Sequence, residues 1–299
     1  MDTINESAIT IQPLNPGWYS GRVAGIDMLR LDELHPIISG NKWYKLKLNI
    51  KYAEEQGFKT IVTFGGGYSN HLAATSYACK LHNINSVAII RGNYPVLTPT
   101  LKRCVEDGMK LIFVTKEDYD RQGEPEWEQQ LVKDFDKTFI IPEGGANEWG
   151  RKGVELISYY IKNTYTHVCV SVGSGTTLIG LRNALPQLQS VLGYVPMKGG
   201  SYLRPHIEEH LNGDKKGHFS LFDDYHFGGF AKCNQSLIDF MNDFYQQNQV
   251  PLDRVYTAKM MSGISSQLEH GFYPEYSKIL AIHTGGLQGN EAIQDQLVW

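Results

Sequence analysis

The stretch His167-Val-Cys-Val-Ser-Val-Gly-Ser-Gly-Thr-Thr177 decides the fold. Its opening run is apolar with hardly an interruption, which predicts a strand buried on both faces. Gly-Ser-Gly-Thr-Thr then turns the chain into a helix near 177–185. A buried strand that leads through glycines into a helix is half of a βαβ unit, so its neighbours should lie parallel to it.

The same succession recurs on both sides. TIVTF (60–64) leads through three glycines to a helix near 70–82, SVAIIRG (86–92) to one near 98–108, and KLIFVT (110–115) to one near 117–134. FIIPEGG (139–145) precedes a helix near 150–162, and SVLGYVP (190–196) one near 201–211. Residues 213–232 break the rhythm with glycines and aromatics. Helical patterns return near 234–248 and 258–270, and KILAIHT (278–284) is a last strand. The fold class is therefore α/β, with open, mainly parallel twisted sheets covered by helices on both faces. No repeat or linker marks a boundary, but 299 residues favour two domains.

Composition narrows the function. The chain is 41% hydrophobic and 20% charged, and its formal charge of -4 is spread along the length, so no basic field exists to hold nucleic acid. The start, MDTINESAITIQPLN, has no apolar core, and runs such as VCVSV and ILAI are too short for a bilayer. A soluble, cytoplasmic protein with no membrane partner is expected. Cys79, Cys104, Cys169 and Cys233 form no C-x-x-C, which suggests neither zinc nor disulfides. His71, His226 and His283 stand singly, without His-x-His or His-Glu-x-x-His spacing, so no metal is expected. Asp223-Asp224 reads as a solvated turn rather than an acid/base pair.

In such sheets ligands bind where strands end and helices begin. Ser171-Val-Gly-Ser-Gly-Thr-Thr177 gathers backbone N–H groups and hydroxyls around one point, as a phosphate dianion requires. It is no dinucleotide fingerprint, because the next glycine, Gly180, falls two residues late. The same residues also make a plain strand-to-helix turn. Gly65-Gly-Gly-Tyr-Ser-Asn-His71 is a second such loop. It lacks the closing glycine of a hydrolase elbow, and Ser69 and Asn70 equally suit a helix cap. Lys42, in Ser39-Gly-Asn-Lys42, sits by a helix N-terminus with apolar neighbours, a setting that lowers an amine's pKa. Taken alone it also fits an ordinary surface lysine.

Together these segments resemble the family of 1-aminocyclopropane-1-carboxylate (ACC) deaminase and D-cysteine desulfhydrase, enzymes of the tryptophan-synthase-β fold type that use pyridoxal phosphate (PLP). The family's Gly-Asn-Lys-x-x-Lys-Leu matches Gly40 to Leu46, and its Gly-Gly-x-x-Ser-Asn matches Gly65 to Asn70. Its phosphate loop matches Ser174 to Thr177, its Val-Tyr-x-x-Lys matches Val255 to Lys259, and its His-x-Gly-Gly matches His283 to Gly286. The matches run in family order across nearly the whole chain.

The resemblance implies that Lys42 carries the cofactor and moves protons, with Ser69 and Tyr256 as further catalytic groups. It implies that Asn70, Ser174, Gly175, Thr176, Thr177 and Thr284 bind PLP. Ser69, Asn70, His71, Tyr256 and Thr257 would meet the substrate. It further implies a larger PLP-binding domain (1–45 and 152–299), a smaller domain (46–151), a cofactor in the cleft between them and a homodimer. Trp43-Tyr44 replaces the family's Thr-Arg, and the aromatic loop Tyr225-His-Phe-Gly-Gly-Phe230 stands where ACC deaminases carry a second active-site tyrosine, whose hydroxyl is missing if Phe230 takes that place. Thr257 and Thr284 follow the desulfhydrases, where ACC deaminases have glutamate and leucine. The expected reaction is β-elimination from a small, D-configured amino acid to a keto acid and ammonia. The alternatives are ACC deamination and a non-catalytic PLP carrier or sensor.

Overall fold

The computed structural model describes residues 4–19, 21–213 and 219–299. The chain divides into two compact units, one of residues 1–41 and 154–299, the other of residues 42–153. The boundaries expected from sequence were 45/46 and 151/152. Both observed boundaries fall inside helices, so no linker could have marked them.

The first unit opens with β1 (Ile11–Pro13), α1 (Pro16–Tyr19) and β2 (Gly25–Arg30). Helix α2 (Asn41–Glu55) leads into the second unit, which continues with β3 (Thr60–Gly65), α3 (Asn70–Leu81), β4 (Asn85–Arg91) and α4 (Pro99–Glu106). It goes on through β5 (Lys110–Val114), α5 (Lys116–Tyr119), α6 (Pro125–Val132), β6 (Thr138–Ile141) and α7 (Glu148–Glu155). The first unit resumes with β7 (His167–Ser171), α8 (Thr176–Ala184), β8 (Ser190–Tyr194), α9 (Leu203–Glu209) and β9 (Phe219–Phe222). Helices α10 (Gln235–Asn248) and α11 (Thr257–Glu269) and strand β10 (Lys278–His283) complete it, followed by 3₁₀ turns.

Each unit holds one sheet, ordered β1-β2-β10-β7-β8-β9 in the first and β5-β4-β3-β6 in the second. Every pairing is parallel except β1 with β2. Alternation along the strands builds the cores. In the first unit Ile26 and Met28, Leu192 and Tyr194, and Ile279 and Ala281 turn to one face, where they meet α10 and α11. In the second, Ala88 and Ile90 pack with α3 and α4, while Val87 and Ile89 take the other face with Val62 and Phe64. A strand covered on both sides cannot alternate polar with apolar, which is why β3 is buried at all its residues.

The structure departs from expectation in three places. The helix near 117–134 is two short helices, because Gly123 adopts φ +93° and Pro125 can only begin a helix. The stretch 213–232 contains a strand, β9, too short to show a period, while 214–218 lie outside the described residues. The N-terminal segment adds an antiparallel edge. Among the described residues no helix is long and apolar enough to cross a membrane.

Candidate active site

Strands β2, β10 and β7 are neighbours, so the segments that leave their C-terminal ends converge. Gly40 adopts φ +66°, and a Cβ there would lie 1.9 Å from the Thr284 carbonyl oxygen. Only glycine permits this backbone-on-backbone contact. It is held by Gly40 N–H donating to Leu31 O (3.0 Å) and Asn41 N–H to Thr284 O (3.4 Å). His283 fixes the far side: its ring meets Pro251 O through Nε2 (2.8 Å), and Gly285 N–H donates to Nδ1 (3.2 Å). Asp32 lies 3.4 Å from that ring. Burial would raise the Asp32 carboxyl, but His283 and Arg30 hold it below the usual range.

From this platform the Asn41 amide donates to Thr177 Oγ1 at 2.7 Å. Lys42 is the next residue on the same helix. The glycine loop therefore meets the Gly-Asn-Lys segment through a buried side-chain bond. In the loop Gly175 takes φ +83° as the N-cap of α8, with no side chain capping the helix. The first N–H groups of a helix have no acceptor within it. Ser174 and Thr176 pair their hydroxyls at 2.9 Å, and Ser171 Oγ is buried without a hydrogen-bond partner among the described residues. Tyr256 lies over the loop, its ring 3.5 Å from where a Cβ on Gly173 would be.

Tyr256 is set by Asp253, whose carboxylate accepts N–H bonds from Val255, Tyr256 and Thr257 at 2.8–3.0 Å. Thr257 is bound to the same carboxylate through its side chain. Its hydroxyl donates to Asp253 Oδ2 at 2.6 Å and accepts from Asp253 N–H at 2.9 Å, and the residue is 0% exposed. The hydroxyl's single proton is thereby committed to the Asp253 carboxylate.

In the second unit Ser69 caps α3, its Oγ accepting from Leu72 N–H at 3.3 Å. Asn70 follows as the first helical residue. Gly67 is pinned on both sides: its N–H donates to the Tyr94 phenol at 2.9 Å, and Thr98 Oγ1 donates to its carbonyl. Tyr94 fills the space of a side chain at 67, where a Cβ would come within 2.5 Å of its ring. His71 turns inward. Thr63 Oγ1 gives its single proton to Ile141 O (2.8 Å), so the His71 Nε2–H donates to Thr63 Oγ1 (2.9 Å). Burial, then the charges of Lys42 and Lys45, push the histidine down to about 3. Lys45 is 5% exposed, and burial followed by Lys42 pushes its amine well below the ordinary lysine value. Lys42 itself is half-buried.

The family model described as pyridoxal-phosphate dependent enzyme matches residues 28–285. The chain belongs to that family. A putative ACC deaminase of Thermotoga maritima is 28% identical over 90% of this chain and 91% of its own. The bifunctional D-cysteine desulfhydrase/ACC deaminase of Arabidopsis thaliana mitochondria is 29% identical over 87% of this chain and 72% of its own. The solved structure of an ACC deaminase homologue superposes with a TM-score of 0.84, at 24% identity over 99% of this chain and 94% of that one.

The residues fit the PLP family's cofactor. An uncapped helix N-terminus with convergent hydroxyls and an orphaned Ser171 Oγ suits a phosphate. A half-buried lysine beside a second amine of suppressed basicity suits a carbonyl partner. Sequence reasoning passed over Tyr94, Lys45 and Asp253, and among metal-ligand spacings it missed His206, Glu209 and His210, whose ligand atoms lie within 4.8 Å of one another. The second lysine of Gly-Asn-Lys-x-x-Lys signalled Lys45, and Asp253 four residues before Thr257 signalled a cap. Nothing local signalled Tyr94.

Proposed function

We propose that this PLP-family enzyme is a lyase that eliminates the β-substituent of a small D-amino acid of the cysteine type as hydrogen sulfide or another protonated leaving group, with water then hydrolysing the released enamine to a keto acid and ammonia. When bound, the cofactor supplies an electron sink for negative charge at the substrate Cα. Lys42 holds it and then carries the Cα proton on Nζ. The N–H groups and hydroxyls of 174–177 grip its phosphate, and Asn41 orients Thr177 for that contact. Asn70 donates to the ring oxygen, Ser69 receives the substrate carboxylate, and Tyr256 holds a proton on its phenol near the leaving group.

The observation that carries the choice of reaction is the commitment of Asp253 and Thr257 to each other. No free carboxylate is then offered from the start of α11, and Thr284 presents a hydroxyl. A hydroxyl hydrogen-bonds a neutral ring nitrogen, where a carboxylate would favour the protonated form and a deeper sink. A shallow sink suits a good leaving group such as thiolate and suits poorly the opening of a cyclopropane. The family resemblance supports a homodimer acting in the cytoplasm.

The test is keto-acid release from D-cysteine, β-chloro-D-alanine and ACC, with borohydride-treated holoenzyme digested to locate the modified lysine. Turnover of the first two, at least about a hundred-fold above ACC, with label on Lys42, is expected. Efficient ACC cleavage overturns the choice of reaction, and label on another lysine overturns the assignment of Lys42.

A further inference from the structure

Lys259 lies one turn along α11 from Tyr256 and is 1% exposed. Its Nζ is received by backbone carbonyls, donating to His226 O at 2.9 Å, to Gly229 O at 2.8 Å and, at 3.5 Å, to Pro196 O. An ammonium has three donors, and all three are used. Burying a lysine is costly unless those bonds are made, so the arrangement needs a reason beyond packing.

The loop it grips is strained. Phe227 and Ala231 adopt φ +50° and +57°, and Gly228 and Gly229 lie between them at +92° and +125°. Such conformations persist where surrounding bonds over-determine them, and they gather at working surfaces. Phe230, at the tip, is 53% exposed and sets its ring 6.0 Å from that of Tyr256, tilted by 72°. The first turn of α11 therefore controls two aromatic rings: Tyr256 directly, and Phe230 through Lys259.

We infer that Lys259 is a positioning residue that holds loop 226–230 so that Phe230 forms a wall beside Tyr256 and restricts the substrate to a small side chain. The inference rests on the proposed reading that an amino acid is bound at Tyr256. Burial pushes the Lys259 amine down to about 8, with Cys233 and Asp253 opposing the shift and Arg254 adding to it. Above that pH a neutral amine keeps only two donors, without charge assistance, and the wall loosens.

The test compares holoenzyme with Lys259→Met, Phe230→Ala and the double variant. Amide hydrogen exchange over 228–232 reads the loop, and D-alanine and D-phenylalanine titrations of the cofactor absorbance read selectivity. Lys259→Met should exchange faster in this loop and lose on the order of ten-fold in preference for D-alanine. Phe230→Ala should lose the same preference, and the double variant should lose no more. Wild-type protection and selectivity in Lys259→Met, or multiplying effects in the double variant, overturn the inference. Should Lys259→Met fail to fold, wild type carries the test. Loop protection that falls between pH 7 and 9, beyond the intrinsic pH effect, supports the inference, and unchanged protection overturns it. Keto-acid release is measured in parallel. Its absence with selectivity intact counts against elimination alone, and its presence with selectivity unmoved by Lys259→Met counts against the wall alone.

Discussion

Two loops in this molecule are written in nearly the same language, and they end differently. Both follow a buried parallel strand, both carry glycines and hydroxyls, and both open a helix. After β3, Ser69 caps α3 and the polar atoms of Gly67 are taken by Tyr94 and Thr98. After β7, the cap is a glycine with φ +83°, and no side chain reaches the first N–H groups of α8. One loop caps its own helix, and the other leaves the first N–H groups of its helix without a side-chain cap. Glycine content does not separate an anion site from a turn; the partners of the first helical N–H groups do.

The largest effect should come from closing the open loop. At Gly175 a side chain costs about 1–2 kcal/mol for the left-handed backbone alone, and its Cβ would press to 3.1 Å from Ile207 Cγ1. Gly175→Val should weaken PLP retention at least about ten-fold in equilibrium dialysis. Retention equal to wild type would mean that the phosphate is held elsewhere.

How much of this was legible follows from the range of the interactions. Strands β3, β4, β7 and β10 were readable because a doubly covered strand carries an apolar run in place of alternation, and both loops because glycines stand at the strand ends. The broken helix before β6 was also legible in principle, since Pro125 cannot lie in a helix interior. Asp253 and Thr257 form a local cap that was written in the sequence, four residues apart. Tyr94 lies 27 residues from Gly67, and the carbonyls of His226 and Gly229 lie about 30 residues from Lys259. Such pairs exist only once the chain has folded, so no periodicity announces them.

A second experiment sharpens the comparison by asking whether the β3 loop sits over a dry interior. His71 is held neutral, first by burial and then by Lys42 and Lys45, down to about 3 from an ordinary 6.5. Both folded and unfolded chains carry it neutral above 6.5. Below that the unfolded chain takes up a proton that the folded chain refuses, so stability is lost as pH falls toward 3. Between pH 7 and 5 the wild type should lose about 2 kcal/mol more than His71→Gln in urea unfolding. Parallel slopes would place a hydrated histidine there.

The smallest effect on stability should come from the capped loop, and its smallness is the point. Ser69 Oγ accepts from Leu72 N–H at 3.3 Å, a long bond, so removing it should cost toward the low end of the usual cap, about 0.5–1 kcal/mol. Ser69→Ala should therefore unfold at slightly lower urea than wild type while holding PLP equally well. Its hydroxyl hydrogen is not used by the cap, which leaves it available to a substrate carboxylate. The variant's loss in turnover should accordingly appear in KM for D-cysteine, with cofactor absorbance unchanged. The opposite pattern, a ten-fold loss of PLP with KM intact, would transfer the anion site from the β7 loop to the β3 loop. An N–H left open by glycine would then no longer be the feature that tells the two apart.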